Sequence, residues 1–265
     1  MNTKAEQTNF SHGDQKKLDW GIQLIEKGLV PDFLIRKGIR SLLKQRLNEE
    51  HSNDPEKSSD LFDQFLNELK ASELAIHTDA ANEQHYEVDA KFFELSLGKR
   101  KKYSSCYYDG NETLDEAEIK MLDLYLERGQ FKDGQEILEL GCGWGSLTLY
   151  MAEKLPHSKI TAISNSHSQR EFIMSQAKKK NLNNINIITK DINKFDIETK
   201  FDRIVSIEMF EHIRNYKGLF KKISGWLKDD GKLFVHIFCH RFLMYPFNTE
   251  AVSYTHLTLP TTPYV

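Results

Sequence analysis

Cysteine is scarce in this chain, which has only Cys106, Cys142 and Cys239 among its 265 residues. An odd number without a C-x-x-C pair predicts neither a disulfide framework nor a metal site, and it favours a reducing, cytoplasmic setting. The chain also lacks a run of about 18 apolar residues, the length that a membrane-spanning helix needs. Its first segment, Met1–Asp14, is polar and does not resemble a secretion signal. These absences predict a protein that is neither exported nor membrane-spanning.

Neither sign of charge dominates the chain. The 36 Lys and Arg residues against 39 Asp and Glu residues give a formal net charge of -3. Because no global positive field attracts phosphate backbones, nucleic acid is not predicted as a partner. With 39% hydrophobic residues, the chain can bury a core as one large domain or as a domain with an added helical segment.

A glycine-rich turn is the most informative feature that the sequence does contain. An apolar strand runs into Gly141, Gly143 and Gly145, and a helix-forming segment follows. Ser146 comes directly after the third glycine, so the spacing differs from the G-x-G-x-x-G of dinucleotide sites. Glu139 precedes the turn; its charge would repel a pyrophosphate but suits the ammonium and sulfonium of S-adenosylmethionine. We therefore predict a methyl-donor site.

Two patterns divide the chain. Up to about Lys99, apolar residues recur at helical spacing, with an interruption at Pro31. From about Leu114, helices and strands alternate, which predicts an α/β fold with a doubly wound parallel sheet. We expect a helical cap over residues 1–100, a Rossmann-like domain over 101–250 and an artefactual or disordered tail over 251–265. The predicted strands are Glu136–Leu140, Lys159–Ser164, Ile185–Thr189, Phe201–Ile207 and Lys232–Phe238, and the predicted helices of this domain include Ser146–Lys154, Ser168–Lys180 and Tyr216–Leu227.

Four segments carry a family resemblance: Lys102–Tyr108, Thr113–Glu118, Leu140–Gly145 and Glu208–His212. Together they resemble the cyclopropane-fatty-acyl-phospholipid synthase superfamily of S-adenosylmethionine-dependent methyltransferases, and above all its coclaurine N-methyltransferase-like branch. The resemblance extends to about Tyr245. It implies a class I methyltransferase fold that is incomplete at the C-terminus, with the fifth strand left as an exposed edge.

The resemblance also implies which residues bind the methionine part of the donor. Tyr103 and Ser104 are expected to lie over the methionine end. The backbone at Gly141 and Gly143 is expected to approach the amino acid portion, where Glu139 would pair with the ammonium.

The ribose and adenine contacts are predicted to follow the second and third strands. The second strand does not end in the acidic residue that grips a ribose in many Rossmann proteins. Asn165 and Gln169 are the predicted substitutes, because an amide can both donate to and accept from a diol. Asp191, Ile192 and Asn193 occupy the place where the family holds adenine.

The predicted catalytic residues are Glu208, Glu211, His212, His236 and Cys106. An amine must be neutral to attack a methyl group, and Glu211 with His212 would receive its proton. If the acceptor is instead an alkene in a phospholipid acyl chain, the resemblance implies a bound bicarbonate, which Cys106, Glu211 and His236 would hold. A tyrosine that the family's synthases use for this purpose has no counterpart here.

Three functions follow from these observations: methyl transfer to a small amine, methylene addition to an unsaturated phospholipid, and donor binding by a fragment without activity. Phe238 stands where the synthases place a smaller aliphatic residue, which favours the amine. The basic and apolar segment Phe33–Leu47 suits either peripheral contact with anionic lipid or a cap on the substrate pocket, and we favour the cap. The sequence does not specify an oligomeric state.

Overall fold

The computed structural model describes residues 21–50, 55–75 and 90–239, which belong to two compact units. Residues 21–50 and 55–64 belong to the first unit, and residues 65–75 and 90–239 to the second. The predicted tail over 251–265 and the polar segment Met1–Asp14 lie outside the described residues, as does the end of the family resemblance near Tyr245.

The described part of the first unit is helical. Helix α1 spans Asp32–Glu50, and helix α2 spans Pro55–Ala71 and contains the boundary between the units. The predicted interruption at Pro31 is confirmed, because α1 begins at the next residue and proline cannot continue a helix that precedes it. None of the described helices is both long and apolar enough to cross a membrane; a cytoplasmic location stays a prediction.

The second unit contains a five-stranded parallel sheet in the order β3-β2-β1-β4-β5. Its strands are β1 (Glu136–Leu140), β2 (Lys159–Ser164), β3 (Ile185–Thr189), β4 (Phe201–Ile207) and β5 (Leu227–His236). Its further helices are α3 (Ala90–Ser96), α4 (Leu114–Arg128), α5 (Ser146–Lys154), α6 (His167–Lys179) and α7 (Tyr216–Trp226). The strand order reverses between β1 and β4, and open α/β sheets bind ligands beyond the carboxyl ends of their strands at such a point.

The predicted bounds of β1 to β4 and of α5 are confirmed, but those of the fifth strand were wrong. The segment between Leu227 and Lys232 looks like a turn, yet it continues the strand, because Phe201 pairs with Leu227 and a register shift follows before Arg203. Such a bulge admits extra residues without ending the ladder. The strand ends at His236, so the prediction that it runs to Phe238 is also wrong.

Three predicted helix ends also differ from the structure; one of them is the end of α6, which lies at Lys179 with Lys180 as its C-cap. Helix α6 begins at His167 rather than at Ser168, because the Ser166 side chain accepts from the backbone N–H of Gln169 and caps the helix one residue earlier. Helix α7 ends at Trp226, since the next residue already belongs to β5.

The central strands β1 and β4 are buried on both faces, as is typical of parallel sheets. Leu138 and Ile204 pack with Trp226 on one face, and Ile137 and Val205 pack with apolar residues of α4 and α5 on the other. Neighbouring residues of one strand face opposite sides, and each fully buried Leu or Ile contributes about 1.5–3 kcal/mol. This rigid sheet fixes the positions of the loops that follow its strands.

Candidate functional site

The three glycines after β1 have different surroundings, although all take left-handed φ angles of 80°, 50° and 79°. A Cβ on Gly141 would lie 2.8 Å from Met209 Cγ, and a Cβ on Gly145 would lie 2.5 Å from Ile173 Cγ1. A Cβ on Gly143 would meet no atom within 4 Å. The first and third glycines therefore allow close packing inside the protein, while the second leaves open space where a ligand can approach the backbone.

Glu139 lies beneath this turn and is only 2% exposed. Its Oε2 accepts a hydrogen bond of 2.5 Å from Thr148 Oγ1 on helix α5. Burial raises its pKa to about 8, although the Thr148 hydroxyl and the Lys102 charge act in the opposite direction. A cation beside this carboxyl would favour its ionised form. The predicted pairing of Glu139 with an ammonium stays a prediction.

Unpartnered polar atoms mark the carboxyl edge of β2 and β3. Gln169 is 1% exposed; its Oε1 accepts from Ser164 Oγ at 2.6 Å, whereas its buried Nε2 has no hydrogen-bond partner. Thr189, whose Oγ1 is also buried and unpartnered, is the register partner of Ser164. A buried polar group without a partner costs about 1–3 kcal/mol. These two groups therefore fit a ligand that carries hydroxyls. Asn165 directly follows β2, at the same edge.

The loop after β3 is tied to residues 74–75. Asp191 Oδ1 accepts from the backbone N–H of Asn193 at 2.9 Å. The Asn193 amide donates to Ala75 O at 2.9 Å and accepts from Ala75 N at 3.1 Å, so its side chain holds the loop in place. Ile192 packs against the core. Their predicted adenine contacts stay predictions.

Residues 74–75 also contact the segment after β4. Ala75 forms an antiparallel bridge with Ile213, and Leu74 O accepts from Arg214 N at 2.7 Å. The same short stretch therefore contacts the loops after β3 and after β4.

Glu208 lies directly after β4, with a left-handed φ of 48° that is unusual for a residue other than glycine. Its Oε1 accepts from Ser105 N at 3.1 Å and from Ser105 Oγ at 2.8 Å. Its backbone N–H donates to His236 O at 2.8 Å. Strained backbone of this kind is concentrated at functional sites, where the surrounding structure holds it.

Glu211 and His212 lie in a 3-10 turn, Phe210–His212. The Glu211 Oε1 accepts from the backbone N–H of Phe238, and its buried Oε2 has no hydrogen-bond partner. Burial raises the pKa of Glu211 to about 7. This carboxyl can therefore gain and lose a proton near neutral pH.

The Tyr103–Cys106 segment contacts Glu208 through Ser105. Tyr103 is half-buried and meets the Phe93 ring edge-on at 5.3 Å. Ser104 Oγ accepts from Lys102 Nζ. Burial raises the pKa of Cys106, which keeps that residue a thiol.

Sequence reasoning missed Lys102 and Tyr125 as site residues. Lys102 is 4% exposed and Tyr125 is 2% exposed. Lys102 Nζ donates to Tyr125 Oη at 3.1 Å, and Tyr125 Oη lies 2.7 Å from His236 Nδ1. Burial lowers the pKa of Lys102 to about 8. His236, a predicted catalytic residue, is thereby connected to a buried cation.

Glu118, seven residues before Tyr125 on α4, was also missed. Its carboxylate is fully buried and accepts from Arg100 N at 2.8 Å and from Lys102 N at 3.0 Å. The spacing of seven places Glu118 and Tyr125 on one helix face. This spacing is the feature of the sequence from which the two residues could have been predicted as a pair. This face holds the loop that carries Lys102.

Comparisons with known proteins identify the family of this chain. The family model described as "Mycolic acid cyclopropane synthetase" matches residues 74–251. (S)-coclaurine N-methyltransferase of Thalictrum flavum subsp. glaucum is 41% identical over 225 residues, which cover 84% of this chain and 62% of that protein. Pavine N-methyltransferase of the same plant is 41% identical over 242 residues, which cover 90% of this chain and 68% of that protein.

A solved structure is similar over most of the chain. Coclaurine N-methyltransferase bound to N-methylheliamine and SAH has a TM-score of 0.82 and 37% identity, covering 88% of this chain and 67% of that one. This chain therefore spans roughly two thirds of the length of its relatives, between 62% and 68% of the two plant enzymes. The chain belongs to the mycolic acid cyclopropane synthetase family, and its second unit has the Rossmann-like fold of class I S-adenosylmethionine-dependent methyltransferases.

Proposed function

We propose that this chain contains the donor site and the proton acceptor of an S-adenosylmethionine-dependent N-methyltransferase that acts on a small amine. The observation that carries the proposal is the Glu211 carboxyl, which has an unpartnered buried Oε2 and a pKa raised to about 7. A carboxyl in that state is matched to accept a proton near neutral pH. The similarity to two plant N-methyltransferases supports an amine as the acceptor.

The residues present fit the donor. The open space at Gly143 allows a ligand to approach the backbone, and the unpartnered Gln169 Nε2 and Thr189 Oγ1 suit ribose hydroxyls. S-adenosylmethionine, when bound, supplies a methyl group on a sulfonium that is already a good leaving group. In this proposal the donor-binding residues are the ten predicted from the sequence, namely Tyr103, Ser104, Glu139, Gly141, Gly143, Asn165, Gln169, Asp191, Ile192 and Asn193, together with Thr189.

The protein mainly orients the two reactants and excludes water, which contributes up to about 7–11 kcal/mol when alignment is good. The N–C bond forms while the C–S bond breaks, and the methylated ammonium then releases its proton. Glu211 accepts that proton at Oε2. His212, next to it in the 3-10 turn, and Glu208 complete the polar lining on this side.

Donor binding can be tested by calorimetric titration with S-adenosylhomocysteine. Gly141→Asp would collide with Met209, so Gly143→Asp is the better variant, because its Cβ meets no protein atom within 4 Å. The matched control is Gly134→Asp, which also has a positive φ (85°) and open space, but precedes β1 at the opposite edge of the sheet. We expect loss of binding only for Gly143→Asp. Equal binding by both variants would contradict the donor site.

Methyl transfer can be tested with coclaurine as the probe amine and mass spectrometry of the product. We expect a gain of one methylene in mass, and a fall of about 10²–10⁴-fold in rate for Glu211→Gln, the usual contribution of a general base. A chain that binds S-adenosylhomocysteine but methylates neither coclaurine nor simpler secondary amines would support the third function, donor binding without activity.

The family description favours a second acceptor, an unsaturated phospholipid acyl chain. Burial raises the pKa of Cys106 and lowers that of His236, and the Lys102 charge acts on both groups. In this alternative, Cys106, Glu211 and His236 would hold the bicarbonate. Vesicles of unsaturated phosphatidylethanolamine, with and without added bicarbonate, test this alternative. Bicarbonate-dependent lipid methylenation that Cys106→Ser abolishes would support it, and unchanged lipids would exclude it.

A further inference from the structure

A chain of hydrogen bonds connects a buried cation to His236. Lys102 Nζ donates to Tyr125 Oη at 3.1 Å, and Tyr125 Oη lies 2.7 Å from His236 Nδ1. Lys102 and Tyr125 are nearly fully buried, and His236 is half-buried at the carboxyl end of β5. The Tyr125 and His236 rings also pack together, with centroids 5.4 Å apart.

The direction of these hydrogen bonds follows from the available protons. A lysine ammonium has three donors and no acceptor, so the Tyr125 oxygen must accept from Lys102. The phenol has a single proton to give. Ser104 Oγ accepts from the same ammonium, and Ser105 Oγ donates to Glu208. His236 Nδ1 lies nearer to the phenol oxygen, at 2.7 Å, than Lys102 Nζ does at 3.1 Å. Because the lysine already gives a proton to this oxygen, the short distance to the ring nitrogen is best explained by the phenol donating its own proton to Nδ1.

His236 can accept this proton only when its Nδ1 is unprotonated. Burial lowers its pKa, as do the charges of Lys102 and Arg128, while Glu208 acts in the opposite direction. A neutral imidazole has one acceptor nitrogen and one donor nitrogen, and the hydrogen bond at one fixes the state of the other.

We propose that Lys102 and Tyr125 are positioning residues that fix His236 as the neutral tautomer with its proton on Nε2. His236 then offers the site a hydrogen-bond donor and not a base at Nε2. The following consequence rests on the proposed function. Glu211 accepts the proton of the amine, and His236 orients an electron-rich group of the ligand.

The tautomer can be read directly from the ring ¹⁵N chemical shifts of the whole chain labelled at histidine, near neutral pH and without ligand. The chain has 10 histidines, and the signals that disappear in His236→Gln identify this residue. We expect protonation at Nε2 alone in the wild type. Tyr125→Phe removes the donor to Nδ1, and we expect its His236 signals to shift toward an average of both tautomers. Lys102→Met leaves the phenol oxygen free to accept from a protonated Nδ1, and should move the shifts in the same direction.

Tyr150→Phe is the matched control, because Tyr150 is another buried tyrosine, and its hydroxyl donates to Asp123 Oδ1. Its His236 signals should equal those of the wild type. A proton on Nδ1, or a charged ring, in the wild type would overturn the proposal whatever the variants show. Unchanged His236 signals in folded Tyr125→Phe would overturn the positioning role. Because no donor or amine is present, a failure here is distinguishable from a failure of methyl transfer.

Discussion

Replacing Glu118 by glutamine should destabilise the protein substantially. The fully buried carboxylate accepts one hydrogen bond from Arg100 N at 2.8 Å and one from Lys102 N at 3.0 Å. In Glu118→Gln, one oxygen becomes an NH₂ group that faces a backbone N–H. Losing a hydrogen bond to a charged group costs about 1.5–3 kcal/mol, and the unsatisfied backbone donor adds about 1–3 kcal/mol. We therefore expect a loss of roughly 3 kcal/mol or more in the free energy of unfolding.

Glu116→Gln on the same helix is the control. Its carboxylate also accepts two hydrogen bonds, from Thr113 N at 2.9 Å and Thr113 Oγ1 at 2.8 Å. These groups are exposed, so water can replace a lost partner, and capping contacts are typically worth about 1 kcal/mol.

Urea unfolding of the wild type and the two variants at one pH gives the loss in the free energy of unfolding for each variant. A loss below about 1 kcal/mol for Glu118→Gln, or equal losses for the two variants, would refute the reasoning that burial decides the cost. A large loss would also show that the hydrogen bonds to Glu118 on helix α4 hold the loop before Tyr103 in place.

Three further predictions concern the glycine turn and the two carboxyls with raised pKa values. Gly145→Ala should lower Tm more than Gly134→Ala in calorimetry, because both have positive φ but only the first places a Cβ 2.5 Å from Ile173 Cγ1; equal shifts would mean that packing there is not tight. The methyl-transfer rate should rise with pH through a pKa of about 7 as Glu211 loses its proton, and Glu211→Gln should lack that rise. The folded-state pKa of Glu139 is raised to about 8 from 4.5, so its contribution to stability is present below pH 4.5 and is lost as pH rises toward 8; Glu139→Gln should weaken this pH dependence in urea unfolding.

The sequence was sufficient to predict most of the sheet. Strands β1 to β4 are short apolar runs that end at turn residues, and such runs have few alternatives in a parallel sheet. The start of β5 was missed because Asp229, Asp230 and Gly231 are typical of a turn. Their inclusion in the strand depends on the pairing with Phe201, which is a tertiary contact.

The candidate site was only partly predictable. The glycine turn has a local signature, so its position could be foreseen. Lys102 resembles a surface residue and Tyr125 a core residue, and only the folded chain brings them to His236. In the same way, the Asn193 amide is polar and near the expected adenine position, but its hydrogen bonds go to Ala75.

The two residues Leu74 and Ala75 link the loop after β3 to the segment after β4. Ala75 is bonded to Asn193 after β3 and bridged to Ile213 after β4. A change in the loop after β3 that breaks the Asn193 contacts would therefore also remove support from the segment next to the Phe210–His212 turn. The family match begins at residue 74, so both residues of this link lie within the matched region. In the proposed function, this link joins the predicted adenine contact Asn193 to the segment that follows Glu211.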